Sequence, residues 1–249
     1  MGNGKKAALV TGGTGGLGKA ICRKLLRDGF VVFCCDIRDE MEQEIIQELS
    51  PIGEVIYLHL DITDEGQWQA AYSKIIERAG RLDVVVNNAG INIRVAIEEC
   101  SVEQWDRMFQ VNVRGPFLSM KHGIPIMRGQ GSGQFINISS ICGLVGHVYT
   151  NESYTATKGA ITLLTKSIAT RYAKYGIRCN SIHPSTVDTD ITRVFLSDPQ
   201  RRSERIGEVP LGRLGKPEDV ANAVAFLASE QAAFINGVQF PVDGGLTAR

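Results

Sequence analysis

The sequence carries no excess of charge: its 27 lysines and arginines are matched by 27 aspartates and glutamates. That balance supplies no cationic stripe for a nucleic-acid groove and no basic patch for an anionic membrane surface. The expected partners are therefore a small-molecule substrate and further copies of the chain, with no nucleic acid and no membrane. No uninterrupted stretch of about 20 apolar residues occurs, so there is no candidate transmembrane helix. The six cysteines lack pattern, Cys34 and Cys35 being adjacent while Cys22, Cys100, Cys142 and Cys179 are scattered. Such spacing supports neither a metal site nor a disulfide scaffold, and it reads as reduced core thiols in a soluble, cytoplasmic protein. Internal repeats, linkers and low-complexity tracts are missing too. With 249 residues and 43% hydrophobic content, one α/β domain over residues 1–249 is expected.

What is present begins with a glycine-rich turn. Ala7-Ala8-Leu9-Val10 leads into Thr11-Gly12-Gly13-Thr14-Gly15-Gly16-Leu17-Gly18, and an amphipathic helical pattern follows through Ile21, Leu25 and Leu26. Gly13, Gly15 and Gly18 fit G-x-G-x-x-G, while Gly12, Gly16 and Gly18 fit T-G-x-x-x-G-x-G. Either pattern omits Cβ atoms where a chain turns tightly and a pyrophosphate approaches backbone amides. Gly12, Thr14, Gly16, Leu17 and Gly18 are thus candidates to hold a dinucleotide at a helix N-terminus. The next apolar run, Phe30 to Cys35, ends in Asp36. An acid there accepts hydrogen bonds from the adenosine ribose hydroxyls and repels a 2′-phosphate, which favours NAD over NADP. The other reading of Asp36 is a cap for the following helix, and Arg38 would offset part of the repulsion.

Alternation continues with strands at Val55 to Leu60, Leu82 to Val86, Gln134 to Ile138, Gly176 to Ile182 and Gly237 to Phe240, separated by helical patterns. Strands apolar throughout imply a parallel sheet covered on both faces, with ligands at the strand ends. Asp61 and Ile62 fall at such an end and are placed at the adenine; Asn88, Ala89 and Gly90 are placed at the cofactor ribose. Asn87 ties strand ends in its structural reading. In the helix from about Ser101, Val102, Trp105, Phe109, Val113 and Phe117 form a stripe read as core or interface, with Trp68 and Trp105 both assigned to the core. Asn112 interrupts that stripe, and a buried amide needs partners.

Tyr154 and Lys158 lie four residues apart, on one helix face and roughly 6 Å apart along the axis. An isolated tyrosine titrates near pH ~10, and a neighbouring cation pulls a phenol toward the working range. Ser139 and Ser140 stand at a strand end just upstream. The pair by itself is common at helical spacing, so its meaning comes from the cofactor signals around it. His183-Pro184-Ser185 reads as a break after the sixth strand, and the polar residues 188–210 place a substrate lid at about 186–210. His147 reads as a solvated loop residue or a substrate contact, Glu152 as serving a helix start, and His183 as packing.

Thr11-Gly12-x3-Gly16-x-Gly18, Asn87-Asn88-Ala89-Gly90, Asn112, Ser140, Tyr154-x3-Lys158 and Asp243-Gly244-Gly245, in that order and spacing, resemble the short-chain dehydrogenase/reductase family over nearly the whole chain. The resemblance implies a single-domain Rossmann-type α/β fold, a doubly wound parallel sheet of about seven strands with helices on both faces. It implies NAD(P)-dependent oxidation of a secondary alcohol or reduction of a ketone, closest to the alcohol dehydrogenase and carbonyl reductase branch. It further implies Tyr154 as general acid/base, Lys158 as its activator and ribose ligand, Ser140 polarising the substrate oxygen and Asn112 supporting a water beside Lys158. Pro184, Val187 and Thr189 would border the nicotinamide, and a homotetramer is expected. The segment between Ser140 and Tyr154 is one residue longer than in many members, and Ser185 stands where glycine is usual. Two other readings are a 3-oxoacyl-thioester reductase, which would prefer NADPH and a basic carrier surface, and an NAD-dependent epimerase or dehydratase, which also uses Tyr-x3-Lys.

Overall fold

Seven apolar runs become seven parallel strands because each side of the sheet is covered by helices. The computed structural model describes residues 4–248. Residues 1–3 and 249 of the expected domain, and the side chains of residues 190 and 191, lie outside the described part. The strands are β1 (Ala7–Thr11), β2 (Val31–Asp36), β3 (Val55–His59), β4 (Val84–Asn87), β5 (Gly133–Ile138), β6 (Ile177–Pro184) and β7 (Gln239–Val242), in the spatial order β3-β2-β1-β4-β5-β6-β7. All neighbours pair in parallel, with Leu9 of β1 opposite Phe33 on one side and Val85 on the other. Strand order therefore reverses direction between β1 and β4, the place where such sheets open a crevice.

Alternate residues of each strand feed two separate cores. Ala8 and Val10 pack with α1 (Gly16–Arg27), α2 (Glu42–Leu49) and α9 (Pro217–Ala228) through Ile21, Leu25, Ile45 and Val224. Ala7 and Leu9 face α3 (Glu65–Ala79) and α5 (Gly115–Gln130), with Trp68, Ile75, Leu118 and Met127 beneath the sheet. Helix α3 starts where Asp64 accepts from the Gln67 amide at 3.0 Å and stops at Gly80, whose φ of 71° only glycine adopts cheaply.

Three expectations change. Trp68 is fully buried, but Trp105 on α4 (Val102–Phe109) is 38% exposed, stacked on Phe109 at 4.8 Å between centroids. Val102 on α4, which turns only Met108 fully inward, and Phe117 on α5 are exposed as well, while Phe109 and Val113 are half-buried, so this stripe is not core within the chain. Strand β6 does not break at His183. It continues through Pro184, whose missing N–H is tolerated because at that end the strand pairs with β7 alone. The polar stretch 188–210 contains two short helices, α7 (Asp190–Phe195) and α8 (Pro199–Gly207), anchored by buried Leu196 and Val209.

Candidate active site

A cleft of about 640 Å³ runs across the C-terminal ends of the strands. Every candidate residue from the sequence lines it except Thr14 and Asn112, which support it from behind. Gly12 makes the first turn with φ 63°, and a Cβ there would lie 3.0 Å from the Ala89 backbone. A Cβ on Gly18 would collide with the Gly12 carbonyl. Only bare backbone fits this corner, and the first turn of α1 beyond it is left without a side-chain cap. Free amides on a twelve-residue helix are suited to a pyrophosphate, so the residues present fit a dinucleotide.

Asp36 does not cap the helix that follows it. Its Oδ2 accepts from the Thr14 amide at 3.1 Å and the Thr14 hydroxyl at 2.6 Å, and its Oδ1 accepts from the Ile37 amide at 2.9 Å. The carboxylate thereby ties the glycine turn to the end of β2. Arg38 is drawn into the same knot, with Nη2 donating to Thr14 Oγ1 at 2.6 Å and Nε 3.5 Å from Asp36 Oδ1. Asn88 acts as a second tie, its amide donating to the carbonyls of Thr11 at 2.9 Å and Gly12 at 3.2 Å. The structural reading of Asn87 holds: it donates to Asn137 Oδ1 at 2.8 Å, joining β4 to β5. At the end of the cleft beside Asp36, Asp61 is partly buried, which raises its pKa, yet two bonds from Thr63, with the Arg107 and His59 charges, hold it below the usual carboxylate range.

At the opposite end, Tyr154 and Lys158 occupy the first turns of α6 (Glu152–Tyr172), with Ser140 at the end of β5. Lys158 Nζ donates to the Ile138 carbonyl at 2.9 Å and lies 5.4 Å from the Tyr154 ring centroid. Burial brings the Lys158 ammonium down to about 8 and pushes the Tyr154 phenol well above its ordinary value. Against that rise, the Ser140 hydroxyl and the Arg94 charge favour the phenolate. Asn112 sits in a π-helical turn, Gln110–Arg114, between α4 and α5. All of its polar atoms have partners: Oδ1 accepts from the Ile91 amide at 2.8 Å, and Nδ2 donates to the Ile91 carbonyl at 2.8 Å and Thr157 Oγ1 at 3.1 Å. The side chain thus binds the loop after β4 to α6.

His183 is fully buried, and its Nδ1 lies 2.8 Å from the Ser140 carbonyl while Nε2 lies 2.8 Å from Ser181 Oγ. Burial lowers its pKa, so the neutral ring donates to the carbonyl from Nδ1. His147 is not solvated: its side chain is 11% exposed, 3.4 Å from Glu208 and 3.2 Å from Thr150. Glu152 stands in the first turn of α6, as its helix-start reading requires. Thr189 caps α7 and packs over Gly16, where an added Cβ would be 3.4 Å from Thr189 Cβ. Val187 is buried, and its carbonyl accepts from Thr192 Oγ1 at 2.6 Å. Sequence reasoning missed Arg94, Tyr149, Phe195 and Arg205, which line the cleft near Tyr154. They come from separate loops and helices with no shared spacing.

A crevice at the strand-order switch, a glycine turn against a helix N-terminus and a Ser-Tyr-Lys cluster define a nicotinamide-dinucleotide oxidoreductase acting on a CH–OH group. Comparison with known proteins agrees. The family described as "Enoyl-(Acyl carrier protein) reductase" matches residues 12–247. Cyclopentanol dehydrogenase of Comamonas sp. (strain NCIMB 9872) is 41% identical over 98% of this chain and 97% of its own. The 3-alpha-(or 20-beta)-hydroxysteroid dehydrogenase of Mycobacterium bovis is 40% identical, covering 98% and 90%. Trans-4-hydroxycyclohexanecarboxylate dehydrogenase of Sinomonas cyclohexanicum is 36% identical, covering 98% and 93%. The crystal structure of gox2181 superposes with a TM-score of 0.95 at 31% identity, over 99% of this chain and 97% of that one. The chain belongs to the short-chain dehydrogenase/reductase family.

Proposed function

We propose that the protein moves hydride between NAD(H) and a secondary alcohol or its ketone, with Tyr154 as the general acid/base. The observation that carries this reading is the half-buried Tyr154 phenol, placed with Ser140 and Lys158 in the cleft wall at the end opposite Asp36. The bound nicotinamide supplies the hydride acceptor or donor. Tyr154 holds the proton of the hydroxyl: in a dry site its phenol stays protonated, ready to donate to a ketone oxygen. Oxidation requires the phenolate, which the Ser140 hydroxyl and neighbouring positive charge favour. Lys158 contributes a cation held in place by the Ile138 carbonyl, and Ser140 orients the substrate oxygen. Asn112 ties the loop after β4 to Thr157, the residue before Lys158 on α6, and would support a water beside Lys158.

NAD is favoured over NADP because a carboxylate ends β2 and the nearby Arg38 is already engaged by Thr14 and Asp36. The names of the relatives point to ring alcohols, and a cyclic secondary alcohol is the substrate shape we favour. The segment 186–210 serves as the substrate lid. Exposed Val102, Trp105, Phe117 and Leu163 on α4, α5 and α6 support a homotetramer, and six free thiols, five of them buried, support a cytoplasmic location. Assay with NADH and NADPH at equal concentration, over cyclic, aromatic, steroidal and acyl-thioester ketones, tests the reading. NADH consumption with a cyclic ketone is expected. A strong NADPH preference would overturn the role of Asp36, and turnover restricted to thioesters would favour the acyl-thioester reading.

A further inference from the structure

Arg205 is an arginine on a polar helix, yet its residue is only 6% exposed. Its guanidinium carbon lies 3.6 Å from the Tyr149 ring centroid and 5.9 Å from that of Phe195. Arg94, from the loop after β4, stacks on the same Phe195 ring at 4.2 Å. Both line the cleft at the end that holds Tyr154. Arg201 also lies 5.3 Å from the Phe195 centroid, so three guanidiniums crowd one ring and repel each other, and desolvation together with the Arg205 charge pulls the Arg94 guanidinium below its ordinary range. Glu208 lies 3.4 Å from Arg205 and 3.4 Å from His147, but it sits outside the cleft wall. Among the described residues, the acids that line the cleft are Asp36 and Asp61, both at the end with the glycine turn. None of the groups acting on Arg94 is a carboxylate.

Two guanidiniums on one wall, Arg205 paired with Glu208 from behind and Arg94 with no carboxylate partner among the described residues, are a place for an anion. The cofactor's phosphates do not account for it, because they belong at the glycine turn, whereas Arg94 acts on Tyr154. The structure assigns an anion subsite to the reaction end of the cleft: Arg94 and Arg205 receive a carboxylate carried by the substrate, and Tyr149 and Phe195 flank its apolar body. The alcohol oxidised, or the ketone reduced, is then that of a hydroxy or oxo acid whose carboxylate lies away from the carbinol. This deepens the proposed alcohol/ketone activity and rests on Tyr154 marking the reaction end. A planar fork suits a carboxylate better than a lysine would.

The test has two arms. In the first, the NAD-loaded protein and its Arg94→Gln and Arg205→Met variants are assayed with 4-hydroxycyclohexanecarboxylate, its methyl ester and cyclohexanol. The wild type is expected to favour the acid over the ester by tenfold or more in kcat/KM. Arg94→Gln is expected to cut that acid-to-ester ratio at least tenfold, chiefly through KM. In the second arm, cyclohexanecarboxylate and benzoate, which have no carbinol, are titrated calorimetrically. Binding to the wild type, weakened at least tenfold in Arg94→Gln, is expected. Equal use of acid and ester, or a proportional loss of both in Arg94→Gln and Arg205→Met, would show that the arginines only pack. No carboxylate binding overturns the subsite whatever the turnover. Arg94-dependent binding without turnover of any alcohol keeps the subsite and removes the proposed reaction instead.

Discussion

His183 donates from Nδ1 to the backbone carbonyl of Ser140 over 2.8 Å, so one buried ring on β6 holds the Ser140 backbone at the end of β5. Burial keeps that ring neutral, which fits a donor that anchors and does not shuttle protons. Replacing it by leucine removes one of two bonds to that carbonyl, which keeps the Gly143 amide at 2.9 Å, at a cost of about 0.5–1.5 kcal/mol. His183→Leu should lower the melting temperature and reduce kcat about tenfold or more, with NADH affinity little changed. Because the group does not titrate into its charged form near neutrality, the pH profile of the remaining activity should keep the wild-type shape. A shifted profile would make His183 part of the proton path.

Tyr154→Phe removes one oxygen from the cleft and leaves the ring beside Lys158. General acid/base catalysis contributes about 10²- to 10⁴-fold, and a loss in that range is expected with NADH binding, followed by fluorescence, retained. Turnover near wild type would take Tyr154 out of its role.

Lys158 is buried with its ammonium down to about 8, against an ordinary 10.5. Below pH 8 the folded and unfolded chains are both protonated there, and the folded one bears the full cost of a buried charge. Between pH 8 and 10.5 the unfolded chain binds more protons, so that cost fades as pH rises. Lys158→Met should therefore abolish most turnover while raising the melting temperature at pH 7. The gain should shrink toward pH 10. A variant less stable than wild type at pH 7 would mean that the bond to Ile138 outweighs the burial cost.

Asp36 both faces the adenosine end and bonds Thr14, so its two duties can be separated. Asp36→Asn keeps an acceptor for Thr14 but removes the charge. It should move the NADH-to-NADPH ratio of kcat/KM toward NADPH by about tenfold, the scale of a charge-assisted contact of 1.5–3 kcal/mol. Asp36→Ala should add a loss of thermal stability. An unchanged cofactor ratio in Asp36→Asn would show that Arg38 sets the preference.

Much of this was legible in the sequence because it is written locally. The strands are apolar on both faces, which only a covered parallel sheet explains; the glycine turn and the Tyr-Lys pair are fixed by short spacings. Trp105 was misplaced because a helical apolar stripe looks the same whether its own chain or another subunit covers it. The partners of Asn112, Ile91 and Thr157, come from distant segments. So do Arg94 and Arg205, which meet only over Phe195. Polar residues have no periodicity to betray a shared destination, and α8 hid a buried arginine for that reason.

The tie between Asn88 and the glycine turn, and that between Asn112 and Thr157, are made where the strands end and the helices begin. The aromatic and basic residues flanking Tyr154 hang instead from α7, α8 and the loops after β4 and β5. Substitutions in these outlying parts would change what the cleft admits while leaving the ties at the strand ends untouched. A chain built this way would alter its appetite by editing a handful of peripheral positions, and the relatives it resembles are named for cyclopentanol, a cyclohexane acid and steroids.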